Sequence, residues 1–149
     1  RPGPANSARA VATRARTLLE SDGCSVGISP GWRAASAINP FLARNRTGGP
    51  PFEHCCVAHD KVYHSAARNY PNPLASLRAR TLADDALRRC VRRAGLDVKR
   101  EIEKKTGVSA NATALSYGFF GEIMQGAVTI GGGPCTGASW RWGNGSVQC

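Results

Sequence analysis

A chain of 149 residues is long enough for one domain with a modest core and too short for two of ordinary size. With 42% hydrophobic and 20% charged residues it reads as globular, and no apolar run approaches the ~20 residues that cross a bilayer, which argues against a membrane-spanning helix. The formal net charge of +10 favours anionic partners, whether phospholipid surfaces, cell-wall polymers or nucleic acid.

In chain order, Arg1-Pro2-Gly3-Pro4 starts without Met and does not read as a signal peptide, as expected of a processed or trimmed chain. Residues 6–20 predict a helix, with Ser7 as cap and Ala8, Val11, Ala12, Ala15, Leu18 and Leu19 at helical spacing. Residues 22–51 are rich in Gly, Pro and Ser, and read as too polar and broken for long elements. Pro50-Pro51 suits entry to a helix over about 52–69, which Pro71 and Pro73 stop. A second helix is predicted from 74–76 to Ala94, with Gly95 as its C-cap. A short charged helix over 96–105 and another over about 111–127 follow. The apolar stretch Ala114–Ile130, interrupted by Gly118, Gly121, Glu122, Gln125 and Gly126, reads as a buried helix. Residues 131–149 are turn-rich and aromatic. The class is mostly α, one domain over 1–149, with no repeat and no linker.

Six cysteines (24, 55, 56, 90, 135 and 149) are an even, dense set for so short a chain, which predicts disulfides and an oxidising compartment. The alternatives are buried free thiols or a zinc site. The histidines at 54, 59 and 64 fall roughly 140° apart on a helix and cannot converge on one ion. A Cys56/His59 zinc pair is sterically possible but lacks two partner ligands at standard spacing.

Cys56, Tyr63, His59 and Asp60 share one arc of roughly 100° on the 52–69 helix, with Phe52 and Ala67, while Lys61 and His54 point away. A His and an Asp on an otherwise apolar face are costly to bury without partners. They fit a neutral imidazole working as general base beside a carboxylate that holds a hard cation, or a purely structural pair. On the next helix Asp84 interrupts an apolar stripe of Leu77, Leu87, Val91 and Ala94, flanked by Ala83 and Cys90. Its neighbour Asp85 faces outward with Arg88, Arg89 and Arg92. A buried Asp84 needs a donor, and the inward His59 and Tyr63 are of the right kind.

The segment Cys55-Cys56-Val57-Ala58-His59-Asp60-Lys61-Val62-Tyr63 resembles the active-site helix of the secreted phospholipases A2, Cys-Cys-x-x-His-Asp-x-Cys-Tyr. Asp84 to Cys90 resembles that family's second long helix, and Ser21-Asp22-Gly23-Cys24 the short calcium loop of its bacterial and fungal branch. Three departures are that Val62 stands in place of a Cys, that the Gly-rich calcium loop of the animal enzymes is absent, and that the stretch from Cys24 to Cys56 is longer than the family pattern leads one to expect. The resemblance implies two long antiparallel disulfide-linked helices, additional helices and an irregular calcium loop, with a catalytic core over 20–94. It implies Ca2+-dependent hydrolysis of the sn-2 ester of glycerophospholipids. His59 would be the general base, Asp84 its orienting partner and Tyr63 a donor to Asp84. Asp60 and the carbonyls of Asp22 and Gly23 would hold the ion. It also implies the pairings Cys24–Cys56, Cys55–Cys90 and Cys135–Cys149, the last closing the tail.

A secreted monomer acting on an anionic phospholipid surface is the expectation, and no nucleic-acid-binding motif is present. Trp32, Trp140 and Trp142 could anchor at a lipid interface or pack a core, and the arginines of the second helix could favour anionic membranes or form a solvated face. Asn45, Asn111 and Asn144 head glycosylation sequons. The other functional readings are a phospholipase-like binding module or toxin subunit without catalysis, and a basic polyanion binder.

Overall fold

The computed structural model describes residues 24, 28–38, 43–70, 72–138 and 140–145. The predicted 6–20 helix, Asp22, Gly23 and Cys149 lie outside the described residues. Among those described there are four helices and no strand: α1 (Ile28–Ile38), α2 (Glu53–Asn69), α3 (Pro73–Thr106) and α4 (Ala110–Gly131). The mostly α expectation holds. No described helix is long and apolar enough to cross a membrane.

α2 starts just after Pro50-Pro51 and ends with the Tyr70 N–H on the carbonyl of Ala66. The Asn72 side chain caps α3 by accepting from the backbone N–H groups of Leu74 and Ala75, and Pro73 fills the first turn, where a missing N–H costs nothing. α3 then runs 34 residues without a break, so Gly95 is not its cap and 96–105 is not a separate helix. The cap is Gly107, at φ 75°, where a left-handed conformation favours glycine. Gly95 has a different task. It is buried, and a Cβ there would overlap the Cβ of Tyr117 on α4. Glycine is read equally well as a stop or as a place where two backbones meet, and here packing decides.

α2, α3 and α4 run up, down and up. His59 and Cys55 meet Asp84 and Cys90 between α2 and α3, while Asp84 and Arg88 meet Thr129 and Glu122 between α3 and α4. The main core holds Phe52, Cys55 and Cys56 from α2 and its entry, Leu87, Val91 and Ala94 from α3, and Tyr117 and Met124 from α4. Leu77, expected on the same stripe as Asp84, is instead exposed, being two turns N-terminal to it and near the end of α3. Gly95→Ala is expected to cost about 1–3 kcal/mol through overpacking, beyond the gain of about 1 kcal/mol in helix propensity. Urea unfolding measures it, and a stabilised variant would show that α3 and α4 do not touch there.

α1 corrects the reading of residues 22–51 as lacking long elements. Its composition is rich in Gly, Pro and Ser, yet Ile28 and Trp32 pack on the main core and Ser36 is buried. The Trp32 ring meets Phe52 edge-on at 5.6 Å and its Nε1–H donates to the Ala43 carbonyl, so this Trp is a packing residue. Glu53 at the start of α2 gathers the preceding loop. It accepts from Arg33 of α1 and from Asn45 and Thr47. Burial pushes its carboxyl up, but hydrogen bonds from Asn45, Ser29 and Thr47 and the Arg33 charge outweigh this and hold it below its ordinary value. The amide of Asn45, the first sequon residue, is thus bonded to Glu53 and to the Pro50 carbonyl.

Cys24 is bonded to Cys56 and Cys55 to Cys90, two of the pairings the resemblance implies. Cys135 is also disulfide-bonded. After α4 the chain returns along the far half of α2. The Gly143 N–H donates to the Tyr63 carbonyl and the Gly145 N–H to that of His64. Trp142 is buried, donates from Nε1 to the Ser76 hydroxyl and meets Tyr63 edge-on, so it too packs a core.

Candidate active site

The face of α2 that carries Cys56, His59 and Tyr63 is buried, as its periodicity predicts, whereas His54 and Lys61 are exposed. Opposite, Asp84 is only 2% exposed, so its carboxylate must be satisfied inside the protein. Three groups do this. His59 Nε2 lies 3.0 Å from Asp84 Oδ1, the Tyr63 hydroxyl donates to the same oxygen at 2.5 Å, and the Thr129 hydroxyl donates to Oδ2 at 3.0 Å. His59 and Tyr63 stand one turn apart on α2 with ring centroids 4.0 Å from each other. Burial first, and then the Asp84 hydrogen bond and charge, push the Tyr63 hydroxyl well above its ordinary value, so it remains a donor throughout the physiological range. An imidazole whose Nε2–H is given to a carboxylate has Nδ1 as its accepting nitrogen.

Thr129 was not among the residues expected here. The signal is one polar side chain amid Ala127-Val128-Thr129-Ile130, near the end of a helix that extends beyond 127. Thr129→Val would leave Asp84 Oδ2 buried without that donor, and is expected to cost about 1–3 kcal/mol of stability. Thermal unfolding beside Thr129→Ser, which keeps the hydroxyl, tests this, and equal loss in both would rule it out.

His59 and Asp60 open on a cavity of about 240 Å³ whose wall is otherwise almost wholly apolar, with Cys24, Cys56, Leu87, Met124, Val128 and Trp140 around it. Asp60, half-buried and one turn along α2 from Cys56, lines the same cavity as His59. Cys24, which follows Gly23 in the chain, is buried and held to Cys56. Of the three expected oxygen donors only the Asp60 carboxylate lies among the described residues, on the wall of this cavity. Asp22 and Gly23 themselves lie outside the described residues. No protein-family model, curated protein or solved structure matches the chain.

A soft-metal reading fares worse. Cys56 is in a disulfide and His59 is bonded to Asp84, so the Cys56/His59 pair is not a thiolate site. His54 Nε2 does lie 3.5 Å from Cys55 Sγ and 3.6 Å from Cys90 Sγ, but those two sulfurs are bonded to each other. Asp85, predicted to face outward, is half-buried in ion pairs with Arg88 and Arg89. Such partly solvated pairs contribute little to stability.

Proposed function

We propose that this protein is a calcium-dependent phospholipase A2-like hydrolase, secreted and monomeric, that releases the sn-2 fatty acid of glycerophospholipids at a membrane surface. The observation that carries this reading is the buried His59–Asp84–Tyr63 constellation set beside Asp60 at an apolar cavity. Acyl chains suit the apolar wall, and the ester would sit where the polar side chains of His59 and Asp60 gather. The antiparallel α2–α3 pair, tied by Cys55–Cys90, supports the finer assignment of the fold.

In the proposed reaction His59 Nδ1 takes a proton from a water, whose oxygen bonds to the ester carbonyl carbon. Asp84 stabilises the imidazolium that forms and holds the ring in place through Nε2, while Tyr63 and Thr129 hold Asp84. When the tetrahedral intermediate collapses, the bond to the glycerol oxygen breaks and His59 Nδ1 returns the proton to that oxygen. Asp60, with the carbonyls of Asp22 and Gly23, would hold Ca2+, and the bound ion would supply Lewis-acid stabilisation of the oxyanion. Hydrolysis of phospholipid vesicles that EDTA abolishes and Ca2+ restores, and that His59→Ala lacks, is the expected result. Equal release of fatty acid in EDTA, or by His59→Ala, would overturn the mechanism.

A further inference from the structure

The stretch Ala114–Ile130 is expected to be a buried helix, and only one face of it is. One line of α4, Ala110, Thr113, Tyr117, Gly121 and Met124, faces inward. The opposite line carries Leu115, Phe119, Ile123 and Ile130, which are 76%, 69%, 52% and 85% exposed. At roughly 100° per residue these four fall within one arc of about 80°. The helix has a single charged residue in 22, Glu122, and that carboxylate is paired with Arg88 of α3. An apolar face this continuous, on a chain otherwise so basic, calls for a partner.

We propose that this outer face of α4 is the surface by which the protein rests on an anionic phospholipid bilayer. Two observations favour lipid over other occupants. The stripe is continuous with the cavity: turning about α4 from Ile123, the next position is the exposed Ala127, and then Met124 and Val128, which line the cavity together with His59 and Asp60. A bilayer touching Phe119 and Ile123 would therefore present its acyl chains at the cavity rim. The charges are also complementary. Arg88 neutralises Glu122, the one acidic residue of α4, the exposed Arg92 follows one turn along α3, and the chain carries +10 overall. α4 is not apolar enough to cross the membrane, so it lies on the interface in the manner of an amphipathic helix.

This inference rests on the proposed lipolytic reading for its choice of lipid, and the test separates the two. The full chain is sedimented with vesicles of phosphatidylcholine, with and without phosphatidylglycerol, in EDTA so that the lipid stays intact. Wild type should bind the anionic vesicles. The Phe119→Asp/Ile123→Asp variant should lose about tenfold or more in partitioning, while Leu82→Asp, an exposed leucine on α3, keeps it. Hydrolysis of a dispersed short-chain phosphatidylcholine with Ca2+ should be unchanged in the double variant, which shows that its fold and site are intact. Equal vesicle binding by wild type and the double variant overturns the proposal. So does a wild-type dimer in sedimentation equilibrium that the double substitution dissolves, since the face would then belong to a second copy. Lipid binding that depends on α4, with no hydrolysis of either substrate, upholds this surface and sinks only the lipolytic reading.

Discussion

Replacing Asp84 by Asn is expected to lower kcat for the proposed phospholipid hydrolysis by roughly 10²–10³-fold while the protein stays folded. The substitution keeps the shape of the side chain in a place where three donors converge on it. An amide oxygen can still accept from Tyr63, and Thr129 can turn its hydroxyl to accept from the new NH2 group. What is lost is the negative charge facing His59 Nε2. The neutral imidazole then has no counter-charge when it takes a proton, although the amide oxygen at the Oδ1 position can still accept its Nε2–H. Because the effect belongs to the reacting state, KM should change little and kcat should carry the loss. Far-UV circular dichroism and the melting temperature check the fold. A decrease of less than tenfold, with the fold intact, would remove Asp84 from the mechanism.

The second large effect is expected from Cys24→Ala/Cys56→Ala. This bond spans 32 residues of sequence, and closing a loop of that size in the unfolded chain corresponds to about 3–4 kcal/mol. Domains of this kind have only about 5–15 kcal/mol in total, so the melting temperature should fall substantially. Alanine is the better probe, because serine would bury hydroxyls where both sulfurs are almost wholly enclosed. On the proposed calcium-dependent reaction, the loss should also reach the binding of the ion. With Cys24 released, the Ca2+ concentration for half-maximal activity should rise about tenfold or more, since the loop end must be ordered on binding. Cys55→Ala/Cys90→Ala spans a similar 35 residues and should cost similar stability, but with a smaller change in the calcium requirement. If both double variants shift that requirement equally, Cys24 has no part in the ion's site.

The parts legible in the sequence are those that depend on one helix at a time. A 100° periodicity placed His59 and Tyr63 on the buried face of α2 and singled out Asp84 from Asp85 on α3, and the structure puts these three side chains within hydrogen-bonding reach. The parts that escaped depend on how helices meet. Thr129 reaches Asp84 only because α4 lies antiparallel to α3 in one register, which no single-helix pattern encodes. Gly95 looks like a cap until Tyr117 is seen across from it. α1 is concealed by its glycine, proline and serine content and is held by tertiary contacts of Ile28 and Trp32 rather than by propensity. The apolar composition of α4 does not reveal how many neighbours it has, and it has too few to cover Leu115, Phe119, Ile123 and Ile130.

Two bridges leave α2 from consecutive residues, Cys55 toward α3 and Cys56 toward the chain before α1. Adjacent positions on a helix point roughly 100° apart, so the bridges pull along different directions. A helix keyed in this way can neither roll about its own axis nor slide along it without straining one bond or the other. The two rigid-body motions of α2 that would most easily part the imidazole from its carboxylate are thereby held at one point, a single turn before His59. Breathing of the cavity is left to its opposite wall, to Met124, Val128 and Trp140. Hydrogen exchange should report this as a stiff α2 facing a more yielding C-terminal half of α4.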